Sequence, residues 1–397
     1  MKKITAEAIK DKARYLVKSD FKEKKLDKAI ADMLKKLDYM IETMDGYYPS
    51  HASKNNVYER TENKSEGWNS GFYSGMIWIA YELTGDEKYK NLALSQIDAY
   101  AERMKNVYGK MGHDVGFLFS LSCVAAYRLT GNKKARDTAI LAADHLKLRF
   151  REKGQFIKAW GSIDGTDNYR LIVDCLMNIP ILYWAAKETG DDSYREVAYT
   201  HFKTTIEYAV RENGSSYHTY YFDPETGAPL RGVTKQGKDD NSCWSRGHGW
   251  IVYGMMLTEK YIDDPDAVEI AKAAAAFYLN RLPGDFVPFW DLEFTEEDNE
   301  EKDSSAAPIV LCGMFDLLKH LPRGEEYDMI ENCIGHSLDS LYENYSTKDD
   351  PVSNGILLHA VYSKPNDVGI DECNIWGCYF YVECLMRMKN PDWNPYW

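Results

Sequence analysis

Residues 67–85 read GWNSGFYSGMIWIAYELTG. A polar and aromatic opening, Gly67-Trp68-Asn69-Ser70-Gly71-Phe72, leads into a run too apolar for a surface helix. The run ends at Leu83-Thr84-Gly85, where glycine reads as a helix stop. A helix that is hydrophobic nearly all round belongs in a core. The segment that follows, Glu87–Met104, is amphipathic and reads as its surface-facing partner.

The same unit recurs along the chain. Further openings are Gly112-His113-Asp114-Val115-Gly116-Phe117, Gly165-Thr166-Asp167-Asn168-Tyr169-Arg170, Trp244-Ser245-Arg246-Gly247-His248-Gly249-Trp250, Asp303-Ser304-Ser305-Ala306-Ala307 and Asp371-Glu372-Cys373-Asn374-Ile375-Trp376. Leu129-Thr130-Gly131 and Glu188-Thr189-Gly190 repeat the stop. Amphipathic helices are predicted over Lys133–Phe150 and Ser193–Arg211, after Asp263-Asp264-Pro265, after Leu321-Pro322-Arg323-Gly324, and over Lys25–Met44 ahead of the first apolar run. Repetition on this scale marks a stacked or closed helical array. Six inner and six outer helices with short links fit an all-α (α/α)6 barrel, with the inner N-terminal openings gathered at one mouth. An open superhelix of helix pairs is the alternative. The repeat spans residues 25–388 without a Pro/Gly/Ser-rich linker, which predicts a single catalytic-size domain over 1–397, with residues 1–20 as an N-terminal helical extension.

The formal net charge is −14, which argues against a nucleic-acid partner. An anionic substrate would need local positive charge. The N-terminus has no apolar signal-peptide core, and no apolar run is long enough for a bilayer, so no membrane association is expected. The eight cysteines form no CxxC, and four lie in apolar runs. Reduced core thiols, a cytoplasmic location and no zinc site are expected. Walker, GxGxxG, HExxH and GxSxG patterns are absent.

Two carboxylates stand out. Asp114 opens the second inner helix. Asp174 sits among Leu171, Ile172, Val173, Leu176 and Met177, where a charge is costly unless paired or used. Two nearby carboxyls in apolar surroundings cannot both ionise freely, so one can hold a transferable proton at neutral pH. The bland readings are a helix cap for Asp114 and a buried hydrogen-bonded carboxylate for Asp174. Asn178, one turn after Asp174 on a predicted helix, is placed to orient it or a water, and Pro180 is predicted to kink that helix. Arg246, between Trp244 and Trp250, suits a carboxylate-bearing ligand whose ring stacks on an indole. Gln236 lies in a polar loop just upstream. His218, in Tyr217-His218-Thr219-Tyr220-Tyr221, lies in a loop that reads as a short hairpin ending at Asp223–Gly227.

In these residues the chain resembles the unsaturated glucuronyl hydrolases of glycoside hydrolase family 88. The matching stretches are Gly67–Glu82, Gly112–Phe119, Ile172–Trp184, Tyr217–Gly227, Gln236 with Asp239–Trp250, Asp303–Ala307 and Asp371–Gly377. The resemblance implies an (α/α)6 barrel and a cytoplasmic enzyme without a metal or other cofactor. It implies an unsaturated disaccharide or oligosaccharide substrate, made by polysaccharide lyases, with a Δ4,5-unsaturated uronic acid at the non-reducing end. Asp174 then matches the general acid/base for hydration of the vinyl ether, and Asp114 the second carboxylate. Trp68, Phe72, His113, Trp160, Asn178, His218, Gln236, Trp244, Arg246, Trp250 and Tyr362 match pocket positions. One departure concerns sulfate: the loop after Val361-Tyr362-Ser363 reads Lys364-Pro365-Asn366-Asp367-Val368-Gly369, with one lysine and an opposing aspartate. The alternatives are an unsaturated rhamnogalacturonyl hydrolase and a non-catalytic carbohydrate-binding toroid.

Overall fold

Glycine stops and polar openings divide the chain as their chemistry requires. In the computed structural model, which describes residues 3–63 and 67–397, Gly85, Gly131 and Gly190 each adopt a left-handed backbone at a helix C-terminus, with φ of 69°, 72° and 77°. That conformation costs glycine little and lets the chain reverse.

The apolar runs become the inner helices: Ser70–Thr84, a segment from Val115 to Thr130, Pro180–Thr189, Ser245–Ile262, Ala306–Leu317 and Ile375–Lys389. The outer layer is Leu26–Met44, the pair Glu87–Ser95 and Ile97–Val107, Lys133–Leu148, Ser193–Ala209, Pro265–Leu279 and Glu325–Ser340. The last inner helix packs against the first, and also against the first outer helix. The ring is therefore closed, an (α/α)6 barrel, and the open superhelix is excluded. Close approach inside the ring depends on glycine. A Cβ on Gly71 would lie 2.0 Å from the Phe117 carbonyl oxygen, and one on Gly116 would lie 2.6 Å from Asn178 Cα. The second contact brings the segments carrying Asp114 and Asp174 together.

Three expectations need correction. Residues 3–20 are not a helical extension, and residues 1 and 2 of that expectation lie outside the described residues. Among the described residues of this arm only Lys12–Tyr15 forms a helical turn. The arm is held by tertiary bonds instead: Arg14 donates to the Leu282 and Pro283 carbonyls, and Tyr15 Oη to the Leu279 carbonyl. A segment this short gains more from donating to carbonyls left free at and just beyond the end of Pro265–Leu279 than from helix formation. The second outer helix breaks at Gln96, whose side chain accepts a bond from buried Ser74. The third inner helix does not contain Asp174. Arg170–Ile172 is a strand, Val173–Met177 is a 3-10 turn, and the helix begins at Pro180. Pro180 thus occupies the first helical turn, where its missing N–H costs nothing, and does not kink the helix.

Small sheets rim the mouth. Thr219–Phe222 pairs antiparallel with both Arg170–Ile172 and Pro229–Val233; the second pairing makes a hairpin in which Asp223–Gly227 is the turn and not the end, with His218 just ahead of its first strand. Ala360–Ser363 pairs antiparallel with Val368–Glu372 just before the last inner helix.

Candidate active site

Asp114 is the residue before the second inner helix, yet its carboxylate makes no capping bond. The cap explanation therefore fails. Its carboxylate accepts a hydrogen bond from Trp160, and one oxygen lies 3.5 Å from His113 Nε2. Asp174 projects from the 3-10 turn. The Val173 amide donates to the His218 carbonyl at 3.1 Å, which continues the strand pairing and fixes the start of that turn. Asn178 Nδ2 donates to the Asp174 main-chain oxygen at 3.0 Å, while its Oδ1 accepts from the Phe117 amide at 3.0 Å. Asn178 thus staples the two carboxylate-bearing segments together through their backbones. It does not touch the Asp174 carboxyl as expected, because the 3-10 turn points its amide at main-chain groups.

Both residues are half-buried, and their carboxyls are enclosed by protein on nearly every side. Burial pushes Asp114 up to about 7, aided by the charge of Asp174 and opposed by Arg149 and the Trp160 bond. Burial pushes Asp174 up to about 6, opposed by Arg246. Burial thus favours the neutral form of both carboxyls more than in a free aspartate, and the charge of Asp174 adds to this at Asp114. Asp174 Oδ1 is buried and has no hydrogen-bond partner. An orphaned carboxyl oxygen of this kind is costly in a purely structural role. It fits a group that meets water or a ligand.

Arg246 is 2% exposed, and its bonds are made within the protein. Nη1 pairs with Asp303 Oδ2 at 2.8 Å and with the Val361 carbonyl at 2.5 Å, and Nη2 donates to the Tyr362 carbonyl at 2.5 Å. The guanidinium stacks over Trp244 and Trp376, at 4.5 and 5.1 Å. It reaches Asp174 as a charge, and it anchors the strand bearing Tyr362. Gln236 Nε2 donates to the same Tyr362 carbonyl at 2.8 Å, and its side chain also bonds His218. Burial pulls His218 down to about 3, and His113 well below its usual value, so both are neutral at physiological pH.

The aromatic positions divide into two layers. Trp160 is 42% exposed at the rim. Trp68 stacks on Trp376 at 4.8 Å, its indole N–H lies 3.4 Å from Tyr362 Oη, and Trp244 packs edge-on to His218. Phe72 and Trp250 are fully buried, and both pack against Phe117. These two support the floor from below. Trp376 belongs to the site although it was not singled out, despite lying in one of the quoted openings. Arg149 and Arg170, both buried beside this group, were also missed. Among the described residues no cluster of three or more His, Cys, Asp or Glu side chains is placed to hold a metal ion.

The closed barrel, with two carboxyls raised by burial at an aromatic mouth, defines a carbohydrate-active enzyme of the acid–base type. Glycosyl Hydrolase Family 88 matches residues 40–279, and the chain belongs to that family. Its relatives include the unsaturated chondroitin disaccharide hydrolase of Streptococcus pneumoniae, 39% identical over all of both chains. The crystal structure of the unsaturated glucuronyl hydrolase of Streptococcus agalactiae superposes with a TM-score of 0.96 at 40% identity, again over all of both chains. An aspartate-to-asparagine mutant of that enzyme, complexed with dGlcA-GalNAc6S, superposes at 0.89 with 37% identity over all of both chains. The chain is a glycoside hydrolase.

Proposed function

We propose that this protein is an unsaturated glucuronyl hydrolase that acts on unsaturated glycosaminoglycan disaccharides, those of chondroitin and hyaluronan, inside the cytoplasm. Asp174 in its protonated form delivers a proton to C4 of the C4=C5 bond. Positive charge develops at C5 and the ring oxygen. Water adds to C5 and gives its proton to the Asp174 carboxylate, which regenerates the acid. The C5 hemiketal then opens. The former glycosidic carbon becomes an aldehyde as the second sugar leaves with a proton, and the uronate ends as an open-chain keto acid. One water is consumed, and no covalent enzyme intermediate forms. This differs from the usual retaining and inverting schemes.

Asp114 holds the ring hydroxyls and, as the second carboxylate, tunes Asp174. Trp68, Trp160, Trp244 and Tyr362 offer aromatic surfaces for the sugar rings, with His113, His218 and Gln236 as polar neighbours. Phe72, Trp250 and Asn178 support this surface from beneath. Arg246 contributes positive potential toward the uronate carboxylate through the field of the site. The observation that carries the reading is the unpartnered Asp174 oxygen on a carboxyl raised to about 6. The test is a panel of lyase-generated unsaturated disaccharides, followed by loss of the ultraviolet absorbance of the C=C bond. Turnover of the chondroitin and hyaluronan members is expected. Turnover confined to pectin-derived disaccharides, or of none, would overturn it.

A further inference from the structure

Arg149 ends the third outer helix as its C-terminal cap. Its side chain is fully buried. All of its hydrogen bonds go to main-chain carbonyls: Nε to Lys158 at 2.7 Å, Nη1 to Met111 at 2.9 Å and Nη2 to Gly161 at 3.2 Å. Among the described residues it forms no ion pair. The segments it grips matter. Met111 leads into His113 and Asp114, and Lys158 and Gly161 flank Trp160, whose side chain bonds Asp114. The main chain reinforces the junction, since the Lys158 amide donates to the Arg149 carbonyl at 2.9 Å and the His113 amide to the Ala159 carbonyl at 3.0 Å.

We propose that Arg149 is a positioning residue for the reaction: its guanidinium clamps the Asp114 segment to the Trp160 segment and places a cation in the neighbourhood of Asp114. A neutral donor would satisfy the carbonyls at lower desolvation cost. Burial pulls Arg149 down to about 10, so the charge is held against a penalty. The groups that surround Asp114 leave it that task. Asp174 repels it from the third inner segment, with the Cys175 thiol beside it. His113 is neutral, and the nearby His201 is pulled down to about 3 and is also neutral. Trp160 donates one bond. Arg170 stacks over Trp160 at 4.9 Å, and Arg246 is the cation acting on Asp174. Arg149 thus keeps Asp114 ionisable next to a second carboxyl.

The proposal rests on the hydrolase reading, and its test separates the two. Wild type, Arg149→Gln and Arg149→Lys are compared by kcat and KM against pH and, independently of turnover, by NMR titration of carboxyl-13C aspartate. In Arg149→Gln, kcat/KM should fall about tenfold or more, within the ~10²-fold that a 1 Å misplacement can cost. The Asp114 titration and the acid limb of the profile should move up by about half a pH unit to one unit, because a cation is lost. Arg149→Lys should return both toward their wild-type positions while kcat stays reduced, since the three-carbonyl grip is gone. A Gln variant whose titration and acid limb superpose on wild type, with only Tm lowered, would overturn the proposal. If Arg149→Gln does not fold, Arg149→Lys decides alone: reduced kcat with the titration in place supports the clamp, and wild-type kcat and KM overturn it. Absence of turnover in the wild type would sink the hydrolase reading and leave the titration to judge Arg149.

Discussion

Asp174→Asn should make the protein inactive and more heat-stable at once. Asn keeps the shape of the side chain but has no proton to give, and loss of general acid–base catalysis costs about 10²–10⁴-fold. The stability gain follows from burial. Asp174 is raised from 3.8 to about 6 on folding. Below pH 3.8 the carboxyl is neutral in both states, and Asn brings no advantage. As pH rises from about 4 to 6 the unfolded chain ionises while the folded one resists, so the wild type loses stability. Above the folded value the penalty levels off at about 3 kcal/mol. An unfolding entropy of about 2.1 cal/mol/K per residue over 397 residues converts this to a Tm gain of roughly 4 °C. Asp114 adds to the gain, because it is freed from a neighbouring charge. Calorimetry of both proteins at pH 4 and pH 8, with the absorbance assay alongside, provides the measurement. A mutant that melts at or below the wild type at pH 8 would show that the ionised carboxylate is stabilised in the fold. Near-normal turnover would remove Asp174 from the chemistry.

Arg246→Ala should depress both Tm and kcat/KM, because it strands buried Asp303; breaking such a pair typically costs about 3–5 kcal/mol. A rise in KM with unchanged Tm would instead point to a direct ligand role. Activity should survive exhaustive EDTA treatment, and an EDTA-sensitive reaction restored by a divalent ion would overturn the cofactor-free mechanism. Lys364 is paired with Glu301 and has Glu300 4.0 Å away, so unsulfated disaccharides should be turned over at least as well as 6-sulfated ones. A tenfold sulfated preference, about 1.4 kcal/mol, would contradict this, whereas Glu301→Gln, which frees the lysine, should move the ratio toward the sulfated form.

The barrel was legible because its repeat combines independent signals. Each apolar run has a polar opening and an amphipathic partner, and three runs end at glycines that need a left-handed backbone. Closure was legible only from the number of helix pairs, since the contact that makes it, Ile375–Lys389 against Ser70–Thr84, joins opposite ends of the chain. The third inner helix was misread for a physical reason. Apart from Asp174, Leu171–Met177 is apolar all round, and for a buried segment periodicity does not distinguish strand, 3-10 turn and helix. Pro180 carried the missing information, because proline is at ease in a first helical turn and disruptive within the helix.

The site shows the same division between what a residue's neighbours in sequence reveal and what only its neighbours in space reveal. Asp174 stood out because it is flanked on both sides by apolar residues. Arg246 stood out through its tryptophans, but its partner Asp303 is 57 positions away, so nothing local indicated that its bonds were already committed. Arg149 gave no signal: a cation in the last turn of an amphipathic helix reads as an ordinary match to the helix dipole. Its burial arises because the loops bearing Asp114 and Trp160 converge on it. Two carboxyls raised by burial depend on the cations that oppose the shift, Arg149 for Asp114 and Arg246 for Asp174. Those charges came from an outer-helix terminus and from a cation tied to distant carbonyls. Tuning of the pair is therefore distributed over the barrel, whereas the reacting group lies within a single apolar run.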